Sequence, residues 1–211
     1  MNHIITRLFD DFADAQHAVI ELERVGVSHG DISLVSHKSH PKHAGVKVRE
    51  PHDHTAGEAS AIDGGVGAAT GGVLGAAGGA LAGLGLLAIP GLGPVVAAGW
   101  LASAAVGALV GGAVVGAAGG LVGALTHAGV SQEEADVYAE GVRRGGTLVS
   151  AKVDDEHVAL AEAALDSTPS VDIATRGAAY RQAGWTGFDA EAAPYSDAEI
   201  SAERTRYVSR V

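Results

Sequence analysis

From Gly64 to Thr126 the chain carries no Asp, Glu, Lys or Arg, and in a polypeptide of formal net charge -11 that gap limits what this part can fold into. Of the 31 glycines, 21 fall between Gly64 and Gly129, so the stretch differs from its flanks in backbone freedom as well as in charge. A helix over residues 64–88 would contain ten glycines. At about 1 kcal/mol each relative to alanine, the handicap is on the order of 10 kcal/mol. Such a helix needs dense packing, a bilayer that penalises free backbone groups, or both.

Pro90 and Pro94 are the only prolines in this stretch and bracket the sequence IPGLGP. Proline ends one helix and opens another, so the pattern predicts a hairpin of helices over 64–88 and 95–126, turning at Pro90, Gly91, Gly93 and Pro94. At 1.5 Å per residue they would measure roughly 37 and 48 Å, and each exceeds a hydrocarbon core of about 30 Å. Small residues recur every fourth position: Gly67, Gly71, Gly75, Gly79 and Gly83 on the first, then Ala104, Ala108, Gly112, Gly116, Gly120 and Ala124 on the second. This glycine-zipper spacing lets another helix backbone approach closely. Each four-residue step turns about 40° around the axis, so the stripe spirals and one partner cannot follow all of it. The expected partners are hairpins of other copies, which makes the chain a homo-oligomer.

The flanks read as a globular fold. HIITRLF, residues 3–9, alternates like a strand. Asp10 or Asp11 then caps a helix with Phe12, Ala15, Val19, Leu22 and Val25 on one face, Gly26 ends it, and DISLV (31–35) is a second strand. Beyond the apolar stretch, Ser131 and Glu134 form a capping box. A helix, a strand over 147–153, a helix from Asp154 or Asp155, and a short strand over 171–174 follow. The two halves together predict an α+β ferredoxin-like sandwich (βαβ-αβαβ) with four strands and helices on one face. The boundaries are residues 1–36 for the first half, 37–63 for a histidine-rich polar linker, 64–127 for the hairpin, 131–176 for the second half and 177–211 for an aromatic arm. Trp185, Phe188, Tyr195 and Tyr207 give that arm too many rings for a disordered tail, so it is expected to dock on a surface, with a helix from about residue 196 to 208.

Charge and motif exclude several chemistries. There is no basic patch interleaved with aromatics, so nucleic acid is not an expected partner. Without cysteine there are no disulfides, thiolate metal sites or thiol nucleophiles. No GK[ST] follows the glycines, and GVGAAT lacks the third glycine and the strand of a dinucleotide fingerprint, so neither a nucleotide nor any other cofactor is expected. Asp10, Asp11, Asp154 and Asp155 sit where helix caps belong, and His17 and His157 have no sequence-visible catalytic partner, so the chain reads as non-enzymatic. His37, His40, His43, His52 and His54 crowd into the linker and are candidate ligands for zinc, nickel or copper. Pro41 breaks any helix that would align them, and a solvated linker is the favoured reading.

The opening MNHIITRLFDDFADAQ is not a signal peptide. Lys38, Lys42, Lys47 and Arg49 precede the apolar stretch and Arg143 and Arg144 follow it, which suits a hairpin with both ends on the cytosolic face of a membrane. Few leucines and one interfacial anchor, Trp100, make it a weak inserter.

TRLFDDFADAQHAVIELERVGVSHGDISLVS, AGLGLLAIPGLGPVVAAG and SQEEADVYAEGVRRGGTLVSAKV together resemble a bacterial family of general stress or heat-induced stress proteins with a glycine-zipper insert. The likeness covers residues 3–175 and implies a non-enzymatic stress-response protein with no catalytic residues. Three readings follow: self-assembly through the hairpin at or in the cytoplasmic membrane with the globular part in the cytoplasm, a closed soluble homo-oligomer or scaffold with a dry interior, and a metal buffer or sensor using the histidine linker.

Overall fold

The computed structural model describes residues 2–38, 85–89, 91–104 and 120–208. They form a mixed α/β fold around one antiparallel sheet. Its strands are β1 (Asn2–Phe9), β2 (Ile32–His37), β3 (Gly85–Ile89), β4 (Gly93–Ala98) and β5 (Thr147–Asp154), in the spatial order β1-β5-β2-β4-β3. Leu8 faces Leu148 across β1 and β5, Val35 faces Leu148 across β2 and β5, and Val35 faces Ala97 across β2 and β4.

The helices form where local chemistry asks for them. In α1 (Phe12–Arg24) the Asp11 carboxylate accepts the Ala13 N–H at 2.7 Å, and Phe12, Ala15, Ala18, Val19 and Leu22 are buried. In α3 (Gln132–Arg143) Ser131 Oγ accepts the Glu134 N–H and donates to Glu134 Oε2, closing the capping box. The remaining helices are α2 (Leu121–His127), α4 (Val158–Asp166), α5 (Ile173–Gln182) and α6 (Asp197–Val208).

Two core clusters lie on opposite faces of the sheet. Ile5, Phe9, Ile32, Leu34, Val149 and Ala151 pack with α1 and α4, while Leu8, Val35, Val95, Ala97 and Leu148 pack with α2 and α3. Helices therefore cover both faces, which corrects the expectation of helices on one. Small hydroxyls are accommodated on both faces: Thr6 bonds Ser150 at 2.9 Å and Ser33 Oγ accepts the Leu101 N–H at 2.9 Å on the second face, and Ser36 bonds Thr147 at 2.9 Å on the first. Paired in this way, buried hydroxyls avoid the desolvation cost of an unmet polar group, about 1–3 kcal/mol.

The four-stranded ferredoxin-like sheet does not form as expected, because residues 171–174 make no strand. Val171 N–H donates a single bond to Leu8 O at 2.8 Å, and Asp172 then caps α5 by accepting the Thr175 N–H at 2.6 Å. The sheet grows instead at its other edge, where β4 joins β2.

That edge also corrects the helical hairpin. Residues 85–88 and 95–98, expected within two helices, lie in strands β3 and β4, and Gly120, at φ +77°, precedes α2, so no helix runs from 95 to 126. The turn falls where the prolines and glycines place it. Leu92 N–H donates to Ile89 O at 3.1 Å, and Gly91 and Gly93 hold φ of +75° and +82°, which only glycine adopts without strain. The free edge of β2 offers Val95 and Val96 a ladder, and β-branched residues favour that pairing over a glycine-broken helix.

Candidate functional site

The aromatic arm docks on the β3–β4 turn. After α5, Trp185 meets Tyr180 edge-on, with centroids 5.8 Å apart and planes at 70°, and the Trp185 backbone N–H donates to the Tyr180 carbonyl at 3.0 Å. The chain then crosses the turn. A Cβ on Gly91 would stand 2.7 Å from Ala190 Cα and 2.9 Å from Phe188 Cζ, and one on Gly93 would stand 2.8 Å from Pro194 Cβ. The two turn glycines thus form a bare floor against which the backbone of residues 188–194 lies.

Beyond the turn, the arm is held by the end of α3. Arg143 donates to Ala193 O at 3.0 Å, and its guanidinium lies 4.9 Å from the Tyr195 ring centroid. Arg144 lies 4.2 Å from the Tyr180 centroid and joins two carboxylates, Glu140 at 2.6 Å and Glu203 at 2.7 Å. Glu140 is 1% exposed and Glu203 is 6% exposed. Burial disfavours the charge on Arg144, and the bonds to Glu203 and Glu140 outweigh it, so its pKa is raised. Ile200 on α6 seats on Gly145, where a Cβ would come within 2.5 Å of its Cγ2. The phrase EGVRRGG is explained by these contacts: Glu140, Arg143 and Arg144 supply the charges, Gly141 admits Leu8, and Gly145 admits Ile200.

A second clamp sits nearby. Arg176 bonds both oxygens of Asp10 at 2.9 and 2.7 Å while its guanidinium lies 3.8 Å from the Tyr207 centroid. It stands in a cleft of about 650 Å3 rimmed by Asp10, Asp11, Asp14 and Asp172. Asp10 pairs with Arg176, and Asp11 and Asp172 cap helices. Asp155 pairs with His3 at 2.6 Å, and His17 Nδ1 lies 3.5 Å from Thr168 Oγ1.

Of the four arm aromatics, Trp185, Phe188 and Tyr195 are brought together over Tyr180, the turn and α3, and Tyr207 joins Arg176. Gly91, Gly93 and Pro94 lie in the turn region. Ala104 ends a helical turn from Trp100 that packs on the core, Gly120 lies against Ile89, and Ala124 is 5% exposed within α2 as part of the chain's own core. Gly67, Gly71, Gly75, Gly79, Gly83, Ala108, Gly112, Gly116, Pro90, His40, His43, His52 and His54 lie outside the described residues. His37 is the last residue of β2 rather than part of a linker, and it is 2% exposed. Its pKa is lowered by burial and by Lys38, against Asp197 and a backbone hydrogen bond with Leu92. Arg143 and Arg144, read from sequence as flanking positive charges, are instead neutralised inside the fold.

The sequence signal for the ion cluster was present in part, since Glu140 precedes Arg143 and Arg144 by three and four residues on one helix face. Glu203 was not legible as their partner. Among the described residues no group of three or more His, Asp or Glu is placed to hold a metal, and no helix is long and apolar enough to cross a membrane. No family model, curated protein or solved structure matches the chain.

Proposed function

We propose that the chain is a non-enzymatic stress-response protein that assembles with copies of itself through its glycine-rich segments, at or in the cytoplasmic membrane. The observation that carries this reading is where those segments join the fold. Lys38, whose N–H donates to Pro94 O at 3.0 Å, leads into residues 39–84, which return at Gly85 opposite Ala97. Residues 105–119 leave after Ala104 and return at Gly120 beside Ile89. Lys38, Gly85 and Gly120 all stand beside β2, β3 or β4, so the glycine-rich segments join the fold at one side of a domain whose two sheet faces are already covered. The strongest charges in the described fold hold its arm in place, which fits a scaffold role.

A closed, soluble assembly is the second reading, and the strands favour it. With 93–98 in β4 and Gly120 breaking the chain before α2, residues 95–98 and 120 do not belong to the second membrane-length helix drawn from sequence. The test is Gly75→Leu with Gly79→Leu. Loss of a large species in size-exclusion chromatography supports assembly through the stripe, and an unchanged elution volume rejects it. Carbonate-resistant membrane pellets then favour insertion, and a large particle without detergent favours the closed assembly.

A further inference from the structure

The arm makes no ladder with the sheet it crosses. Its attachments are the Trp185 ring edge-on to Tyr180, the close approach to Gly91 and Gly93, Ile200 seated on Gly145, Tyr207 against Arg176, and the charged and aromatic contacts of Arg143, Arg144 and Glu203. A buried ion pair stabilises little relative to apolar packing of the same volume, and Phe188 is the arm's contribution to the main core clusters. A segment held in this way opens at lower free energy than the strands beneath it. It also bears on the one turn that joins the two glycine-rich segments.

We propose that residues 185–207 are a strap that opens and closes as a unit over the Gly91–Gly93 turn, and that β4 and the turn stay seated against β2 only while the strap is closed. The inference concerns the described fold alone and stands whether or not the glycine-rich segments assemble. Closed, the strap presses Pro194 onto Gly93 and Ala190 onto Gly91, blocking the direction in which the turn would lift. Open, it leaves the turn with its own Leu92 to Ile89 bond, the bond from Lys38 N–H to Pro94 O, and the buried side chains of Ile89 and Leu92.

Those amides make the test direct. In native-state hydrogen exchange on the full chain, the Ile200 amide, bonded to Ser196 O, reports the strap, and the Leu92 and Lys38 amides report the turn. The expected result is that all three open together, below the free energy at which β1 and β5 exchange. Glu203→Gln should speed exchange at all three by one common several-fold factor, while β1 and β5, which exchange only when the strap is also lost, speed up by no more than that factor and stay slower. Tyr195→Ala, which removes the ring beneath Arg143 without creating a buried charge, should do the same more weakly and keeps the test available if the first variant does not fold. The proposal is overturned if the strap amides exchange faster in either variant while Leu92 and Lys38 do not. It is also overturned if the strap exchanges only together with β1 and β5.

Discussion

Leu8 occupies the space that Gly141 leaves open on α3: a methyl group at 141 would overlap Leu8 Cδ2 and stand 3.1 Å from its Cδ1. Leu8 is fully buried on the sheet face that α3 covers and has little room to give. Gly141→Ala gains about 1 kcal/mol of helix propensity and incurs about 1–3 kcal/mol of overpacking. The expected net effect is a destabilisation of up to about 2 kcal/mol in urea denaturation. Leu8→Val in that background should recover part of it, and a pair of changes that simply add would show that the two side chains do not meet.

Arg144 stands between Glu140 and Glu203, and replacing it by Met leaves two buried carboxylates facing each other. The fold should lose about 3 kcal/mol, the low end of the range for breaking a buried pair, since Arg143 and Arg206 still reach those carboxylates. Arg206→Ala is the control. Its side chain is 58% exposed, and the change should stay within about 0.5 kcal/mol in the same denaturation assay.

Acid should loosen the fold through His37. Its folded pKa lies below the ordinary 6.5 because the ring is buried, so between those values the unfolded chain binds more protons than the native one. Stability is whole above 6.5 and declines as pH falls from there toward the lowered folded value. A series of denaturation midpoints across this window should show the slope in the natural chain and lose most of it in His37→Gln. An equal slope in both would assign the effect elsewhere.

Alkali should act through Tyr138, whose hydroxyl donates to Thr6 O at 3.0 Å and whose pKa burial pushes up to about 12. Here the native state holds its proton longer. The contribution is whole below the ordinary 10 and is lost as pH rises through about 12. Burial raises Tyr180 and Tyr195 as well, so phenolate absorbance at alkaline pH should show several late-titrating tyrosines, and their number should fall by one in Tyr138→Phe.

Local signals placed many elements well. The alternation in HIITRLF, the Asp11 cap, the capping box of Ser131 and Glu134, and the alternation over 147–153 each act within a few residues, and β1, α1, α3 and β5 stand where they point. Residues 85–88 and 95–98 were misread because a short apolar run flanked by glycine suits a buried strand or a helix equally, and only the vacant edge of β2 decides between them. Val171 and Ile173 suggested a strand, but Asp172, three residues before Thr175, is a helix cap. The second covered face of the sheet was hidden because its serines and threonines look solvent-facing until their cross-strand partners are known. In the strap, the rings were legible and their docking surface was not. Gly91 with Ala190 and Arg144 with Glu203 are meetings between residues far apart in the chain, and no local pattern announces them.

Self-association is decided most directly by the mass of the full-length chain, measured by mass photometry after gentle extraction and compared in detergent and in plain buffer. The subunit is 21.0 kDa. Assembly through the small-residue stripes predicts a discrete particle of many subunits in at least one of the two conditions. A single species at the subunit mass in both would contradict it.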